Sequence, residues 1–282
     1  MAGGTLFVVA TPIGNLGDVT ARVAETLRAV HRVLAEDTRR TRQLLTHLGI
    51  AGKPLGRFDA HATPADVARA VEQLVAGESI ALATDAGTPG VSDPGEALVE
   101  AAIAAGVRVV TLPGPSAVLA ALVGSGLAGD GRFRFVGFLP RGGTARRAAV
   151  ALVTETPEPV VLFEAPGRVQ ATLRDLADAA PDRPACIARE LTKLHEEYVR
   201  GTCATLAADE REWMGEIAVV LGAHAPEERA AVDDAAVDAR IDEGLARGEH
   251  ARTLAEKLAA WSGRPKRAIY ERVVERKADR RR

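Results

Sequence analysis

Leu6-Phe7-Val8-Val9-Ala10-Thr11-Pro12-Ile13-Gly14-Asn15 is the stretch that decides the fold. Its first half is an apolar run of strand length, and its second half is a Pro/Gly turn. After it, Val19, Val23, Leu27 and Val30 recur at helical spacing. The same alternation continues outward. Arg32-Val33-Leu34-Ala35 reads as a strand, followed by a helix over 38–48 that Gly49 stops. Thr63 caps a helix with Pro64 at its first position, running to about residue 76. Ile80-Ala81-Leu82-Ala83 is the next strand, Asp93-Pro94-Gly95-Glu96 has the spacing of a capping box, and 107–112 is a further strand. Five strands, four of them placed by these runs, around four helices predict a parallel sheet, because crossover helices join parallel strands.

A second unit begins after Pro113-Gly114-Pro115. Its pattern predicts strands at 133–137, 159–163, 184–188, 194–200 and 216–221, and helices at 116–123, 144–154, 167–180 and 203–211. Two of these strands follow one another without a helix, which predicts a mixed sheet. An Ala/Pro/Glu linker covers 223–232, and from Asp233 onward the pattern is helical only. The expected fold class is α/β: one domain at 1–115 with a parallel sheet, another at 116–223 with a mixed sheet, and a small helical appendix at 233–282.

The 282 residues carry 36 Lys plus Arg against 38 Asp plus Glu, a net charge of −2. At roughly 150 residues per domain this length fits two domains. Near neutrality excludes a chain that is basic throughout, and a strongly acidic tail. Six Phe, two Tyr and two Trp leave little for base-stacking platforms. Cys186 and Cys203 form no CxxC and have no second pair, so neither a zinc site nor a disulfide framework is expected. The first residues lack the basic start and apolar segment of a signal peptide, and no apolar run reaches the roughly 20 residues that span a bilayer. A cytoplasmic location without membrane contact is the expectation.

Three Pro/Gly-rich turns each follow a predicted strand of the first unit: Thr11-Pro12-Ile13-Gly14-Asn15, Asp85-Ala86-Gly87-Thr88-Pro89-Gly90 and Pro113-Gly114-Pro115-Ser116. Any one of them reads as an ordinary tight turn. Three on one edge point to a ligand, because open α/β sheets bind ligands beyond the carboxyl ends of their strands. Glycine lets backbone approach a ligand closely, proline fixes the loop, and Ser116 can cap the next helix while facing a polar group. No GxxxxGK[ST] is present, which excludes a P-loop. Gly124-Ser125-Gly126-Leu127-Ala128-Gly129 matches GxGxxG but follows a helical stretch, so no dinucleotide motif is supported. Neither HExxH nor clustered His/Asp ligands occur, and no metal is expected. What remains is a cofactor held by backbone groups and one or two carboxylates.

The succession of blocks is specific. The three turns, Ala35-Glu36-Asp37-Thr38-Arg39, Ser92-Asp93-Pro94-Gly95, Gly137-Phe138-Leu139-Pro140, Phe163-Glu164-Ala165-Pro166, Ala188-Arg189-Glu190-Leu191-Thr192-Lys193 and Gly215-Glu216 follow one another over nearly the whole chain. In this order they resemble the ribosomal RNA small subunit methyltransferase I family, within the tetrapyrrole-methylase-like class III methyltransferases. The resemblance implies S-adenosyl-L-methionine bound in a cleft between the two α/β domains. It also implies a homodimer, and 2′-O-methylation of a cytidine in the decoding region of 16S ribosomal RNA. Carried over, it places Pro12, Gly14, Asp85, Gly87, Thr88, Pro89, Val91, Pro113, Gly114, Ser116, Ala117, Phe163 and Glu164 at the cofactor. Asn15, Arg39, Arg141, Arg168, Arg189 and Lys193 fall on the substrate side. The chain departs from the family pattern at Asp59-Ala60-His61-Ala62-Thr63, where paired histidines and Asn are usual, and at Gly167, where a histidine is usual.

Methyl transfer from a sulfonium is an in-line displacement, so the protein must position the acceptor, exclude water and help remove a proton. Glu36, His61 and Glu190 are the candidates for that chemistry. Each has a plainer reading: Glu36 beside an N-cap at Asp37, His61 as an exposed side chain, and Glu190 in an ion-pair cluster with Arg189 and Lys193. Asp85 binds a ligand amino or ribose group or else caps its own turn.

Positive charge falls in three runs. Residues 264–282 hold nine basic side chains against three acidic ones, a local balance of +6. Arg132, Arg134, Arg141, Arg146 and Arg147 form an acid-free run, as do Arg39, Arg40, Arg42, Lys53 and Arg57. Three such runs favour an RNA-sized acceptor over a porphyrin. Leu254, Leu258 and Trp261, then Ser262-Gly263 and a helix from Arg264, fit either a helix-turn-helix or a capping bundle. Two other readings stay open: a methylase of a small tetrapyrrole-like acceptor, and a nucleic-acid-binding regulator with an α/β ligand sensor.

Overall fold

A computed structural model describes residues 3–224, 233–262 and 264–279. The chain divides into one compact unit, Met1–His224, and a second, Ala225–Arg282. The expected linker lies, from 225 on, outside the described residues, as do Gly263 and Arg280 to Arg282.

In the first unit, strands β1 (Thr5–Val9), β2 (Arg32–Ala35), β3 (Leu55–Arg57), β4 (Ile80–Ala83) and β5 (Arg108–Leu112) form a sheet in the order β3-β2-β4-β1-β5. Every pairing in it is parallel. The strand that the pattern leaves unplaced is β3, a three-residue edge strand. Period-two alternation sends Leu6, Leu34, Ile80 and Leu82 to one face, under α3 (Pro64–Val75) and α4 (Glu96–Ala104). Val9, Val33, Ala81 and Ala83 face the other way, under α1 (Ala21–Ala29) and α2 (Thr38–His47). A parallel sheet covered on both faces is why these strands read as unbroken apolar runs. Thr20, Asp37 and Thr63 cap α1, α2 and α3 through their side chains, with a full capping box at Thr63 and Asp66.

The start of α4 differs from the expected capping box. Asp93 does not cap it: the cap is Gly95, at φ +135°, with no side-chain bond. Pro94 biases Asp93 to extended backbone, and the glycine then turns the chain, so the Asp93 carboxylate is not spent on the helix end.

The second sheet, in the order β6-β7-β10-β8-β9, comprises β6 (Arg134–Phe138), β7 (Val160–Glu164), β8 (Pro184–Arg189), β9 (Glu197–Thr202) and β10 (Ile217–Leu221). It is mixed: β6 and β7 are parallel, and the remaining pairings are antiparallel. Helices α6 (Gly143–Glu155), α7 (Pro166–Ala179) and α8 (Cys203–Ala207) cover one face, and α5 (Ala117–Ser125) the other. The GxGxxG string begins in the last turn of α5 and runs past it, with Gly126 as the left-handed cap. Ile13, from the turn after β1, packs into the core beneath α5. The first-sheet turn is thereby anchored in the second sheet.

The second unit contains α9 (Asp234–Ala246), α10 (Ala251–Ser262) and α11 (Lys266–Asp279). They pack around Val237, Ile241, Leu254, Leu258, Ile269 and Val273.

Candidate functional site

The three turns converge. Thr11 and Gly87 exchange backbone hydrogen bonds of 2.8 and 3.0 Å, and the Thr11 hydroxyl donates to the Thr84 carbonyl at 3.1 Å. Gly87 sits at φ +81°, a conformation that favours glycine. Gly114 packs against the end of β1, where a Cβ would meet the Ala10 Cβ at 2.9 Å. Ser116 caps α5 through its hydroxyl, which accepts the Leu119 N–H.

Between these turns and the second sheet lies a cavity of about 700 Å³. Its size is in the range of small-molecule sites, roughly 300–1,000 Å³. Gly87, Thr88, Val91, Pro113, Gly114, Ser116, Ala117, Phe163 and Glu164 line it, as the motif order anticipates. Pro12, Gly14, Asp85 and Pro89 do not. The two prolines are buried behind the turns. Gly14 instead lets the β8–β9 turn approach, since a Cβ there would meet Lys193 Cγ at 2.5 Å. Asp85 is occupied with structure: its carboxylate accepts the Asp37 N–H at 2.9 Å and faces Arg40 at 3.6 Å.

Glu164 is fully buried and both its oxygens are engaged. They accept the Ala165 N–H at 2.8 Å and the Thr172 hydroxyl at 2.6 Å, and pair with Arg168 at 3.1 Å. Arg168 passes the link on, donating to the Leu139 carbonyl at 2.7 Å in the turn after β6. A Cβ on Gly167 would meet nothing within 4 Å.

The three candidates for proton chemistry all fall outside the cavity lining. Glu36 accepts the Asp85 N–H at 3.2 Å. His61 is exposed, and its backbone N–H bonds to Asp59 at 2.9 Å. Glu190 accepts the Glu216 N–H and then Lys193 Nζ, both at 2.9 Å, and these bonds hold its carboxyl below the usual range. Lys193 bridges on to Glu216, which does line the cavity, at 3.1 Å. Burial alone would favour the neutral amine, but the two carboxylates win and raise the Lys193 pKa.

Of the residues expected on the substrate side, Asn15 falls outside the cavity lining, its N–H bonded to the Thr192 hydroxyl. Arg189 is tied to Glu197 at 3.0 Å. Arg39 is clamped by Asp37, and that hydrogen bonding pulls the Asp37 carboxyl down to about 2. Arg141 is exposed and has no hydrogen bond or ion pair among the described residues.

The basic runs are less available than their composition suggests. Arg57 pairs with Asp59, Arg132 with Asp130 and Arg146 with Asp175, and Lys53 donates to the backbone carbonyls of Arg28 and Val30. In the helical unit, Arg264 pairs with Asp234, Arg272 with Asp234 and Asp238, and Arg276 with Asp238 and Asp242. The described part of the +6 segment is therefore largely neutralised by one acidic stripe of α9. That ladder ties α11 to α9 and fits the capping-bundle reading.

Asp93 is the polar lining residue that the pattern assigned elsewhere. Burial first, then the Glu36 and Asp85 charges, push its carboxyl up to about 7. Further lining comes from Ile13, Phe138, Ala188, Leu191 and Ile217, apolar residues that carry no motif of their own.

The model of the tetrapyrrole (corrin/porphyrin) methylases matches residues 5–207. The chain belongs to the tetrapyrrole methylase family. Within it, the chain groups with the proteins named ribosomal RNA small subunit methyltransferase I. That of Xylella fastidiosa (strain Temecula1) is 44% identical over 95% of this chain and 98% of its own length. Its counterpart in Synechocystis is 39% identical over 98% and 99%. Among solved structures, uroporphyrin-III C-methyltransferase from Thermus thermophilus in complex with S-adenosylhomocysteine covers 78% of this chain and 97% of its own, with a TM-score of 0.56 at 20% identity. A conserved hypothetical protein from Aeropyrum pernix covers 98% and 97%, with a TM-score of 0.62 at 18% identity. The cofactor of this methylase is S-adenosylmethionine. A glycine-edged, mainly apolar cavity of this size suits an adenosyl group, with backbone donors and a few carboxylates for its polar edges.

Proposed function

We propose that this methylase transfers the S-adenosylmethionine methyl group to ribosomal RNA of the small subunit, at the 2′-hydroxyl of a cytidine in the decoding region of the 16S molecule. The observation that carries this reading is the 44% identity, over 95% of the chain, to a relative named for that class of substrate. The alternative of a porphyrin-sized acceptor has weaker support, because the porphyrin methylases compared are about 20% identical and cover less of the chain.

In this reading the turns after β1, β4 and β5 hold the cofactor through Gly87, Thr88, Val91, Pro113, Gly114, Ser116 and Ala117, with Phe163 on the opposite wall. Pro12, Gly14, Asp85 and Pro89 shape those turns from behind. Bound cofactor supplies an activated methyl on a sulfonium. The protein orients the acceptor and keeps water away. Asn15, Arg141, Arg168, Arg189 and Lys193 stand on the RNA side, with Arg141 offering a guanidinium uncommitted to other described residues.

The enzyme works as a cytoplasmic homodimer in this account. Leu119 and Val123, one turn apart on α5, are 52% and 71% exposed, an uncovered apolar strip suited to a second copy. No helix among the described residues is long and apolar enough to cross a membrane.

The deciding experiment incubates the protein with methyl-labelled cofactor and purified small ribosomal subunits, then maps the labelled nucleotide. Label on a cytidine ribose is expected. Label on a base, or only in small molecules, refutes the assignment. Light scattering in solution tests the dimer.

A further inference from the structure

Three carboxylates line the cavity, and two of them are committed. Glu164 is engaged by Ala165, Arg168 and Thr172, and Glu216 is paired with Lys193. The third, Asp93, has no hydrogen bond or ion pair among the described residues. Backbone fixes it in place. Ser92 before it sits at φ +61°, Pro94 after it has a locked φ, and Gly95 sits at φ +135°. A Cβ on Gly95 would lie 2.7 Å from Leu82, so the loop is pressed onto β4. Left-handed backbone at a non-glycine residue persists only where the surroundings over-determine it, and such strain collects at working sites.

We propose that Asp93 is the proton acceptor for the hydroxyl that this enzyme methylates. The proposal rests on the reading of the acceptor as a ribose hydroxyl. In the step, the O–H bond breaks toward the Asp93 carboxylate while the oxygen bonds the methyl carbon. The carbon–sulfur bond breaks with its electron pair left on sulfur. The products are a methyl ether, a neutral thioether and a protonated Asp93, which returns its proton to water.

The surroundings suit that task. The charged groups acting on Asp93 are Glu36, beyond β2, and Asp85, beyond β4, both negative. The nearby cations are turned elsewhere, Arg39 to Asp37 and Arg40 to Asp85. With burial, those two charges bring Asp93 to about 7, where a base is both ionised and effective near neutral pH. Glu36 and Asp85 are themselves engaged by backbone N–H groups and lie outside the lining. Among the described residues no group of His, Cys, Asp and Glu is arranged to hold a metal ion.

The test uses the full chain with Asp93→Asn and Asp93→Glu. Rates are read on small ribosomal subunits across pH, S-adenosylhomocysteine affinity by calorimetry, and melting temperature in the absence of ligand. Asp93→Asn should lose about 100-fold or more in kcat and keep its affinity for S-adenosylhomocysteine within about threefold. The wild-type rate should rise through about pH 7, and the residual Asn rate should not. Asp93→Glu should recover part of the activity. A carboxyl pKa raised in the fold favours the protonated form, so its contribution to stability is lost as pH rises toward 7. Asp93→Asn should therefore melt higher than wild type near pH 8 and equally near pH 4. A rate within about threefold of wild type overturns the proposal, and so does a rate loss matched by lost S-adenosylhomocysteine affinity, which would place Asp93 at the cofactor. If wild type binds S-adenosylhomocysteine but labels no RNA, the functional reading fails and takes the proposal with it.

Discussion

The Thr192 hydroxyl accepts the Asn15 backbone N–H at 3.1 Å, across 177 residues of sequence, and ties two distant turns together. Asn15 belongs to the turn after β1, and Thr192 to the turn between β8 and β9. Thr192 makes this bond from φ +66°, a backbone region costly for a β-branched residue. Its own N–H is engaged by Glu196 at 2.5 Å, which helps hold the turn. Thr192→Ala should lower stability by about 1 kcal/mol and weaken S-adenosylhomocysteine binding several-fold, because the turn that carries the lining residue Leu191 loosens against Gly14. Thr192→Ser keeps the hydroxyl and relieves crowding, so both quantities should stay near wild type. Denaturant melts and calorimetry read the two effects. Equal losses in Ala and Ser would assign the effect to backbone instead of the hydroxyl.

Glu164 sits at the cavity wall, but its geometry assigns it to positioning. Every oxygen has a protein partner, and through Arg168 it holds the turn that presents Phe138 and Arg141. Glu164→Gln keeps the shape and weakens the charge pair, with a cost of about 2 kcal/mol in stability. Binding of S-adenosylhomocysteine should change less than methylation of RNA. A loss of cofactor-product affinity as large as the loss in rate would show direct contact instead.

The strands were readable because each central strand of a sheet covered on both sides is an apolar run with little interruption. The edge strand Leu55–Arg57 was not, being three residues long and built around Gly56. The near wall of the cavity was legible from three glycine turns. Its far wall at Ala188 and Ile217 was not, because those apolar residues are brought there only by the pairing of β8 with β10. Asp93 was hidden by its own spacing, since Asp-Pro-Gly-Glu mimics a capping box and only φ at Gly95 separates the two outcomes. Charge runs misled for a related reason. Arg276 finds Asp242 at a separation of 34 residues, which a count along the chain does not register.

That pairing sharpens where RNA contact is expected. Arg141 and Arg147, around the turn into α6, and Arg42 on α2 are exposed and have no ion pair among the described residues. Arg141→Ala and Arg147→Ala should each weaken small-subunit RNA binding and lower the slope of log affinity against log salt by about 1. Arg132→Ala should do much less, because Asp130 already neutralises that guanidinium at 2.6 Å. Filter binding across a salt series separates the two classes. Equal slopes in all three variants would discount the pairing as a guide to the interface.

The helical unit carries its own pH signature. Asp234 and Asp238 on α9 are held below the usual carboxylate range, chiefly by hydrogen bonds from the α11 and pre-α11 arginines. A carboxyl pKa depressed by folding adds stability above the unfolded value, near 3.9, and that contribution is lost as pH falls through the folded value. Acid should therefore loosen α9 and α11 below about pH 4, with little change between about pH 5 and 8 from this source. Asp238 contacts both Arg272 at 2.6 Å and Arg276 at 2.9 Å, so it is the central rung. Asp238→Asn should cost about 1 kcal/mol, seen as roughly fivefold faster amide exchange in α9 and α11 at neutral pH, and should blunt the acid response. High salt should reproduce part of the loss in wild type and little more in the variant. Exchange rates that are the same in both proteins would mean that the apolar core of Val237, Ile241, Ile269 and Val273 holds the helices together without help from the ladder.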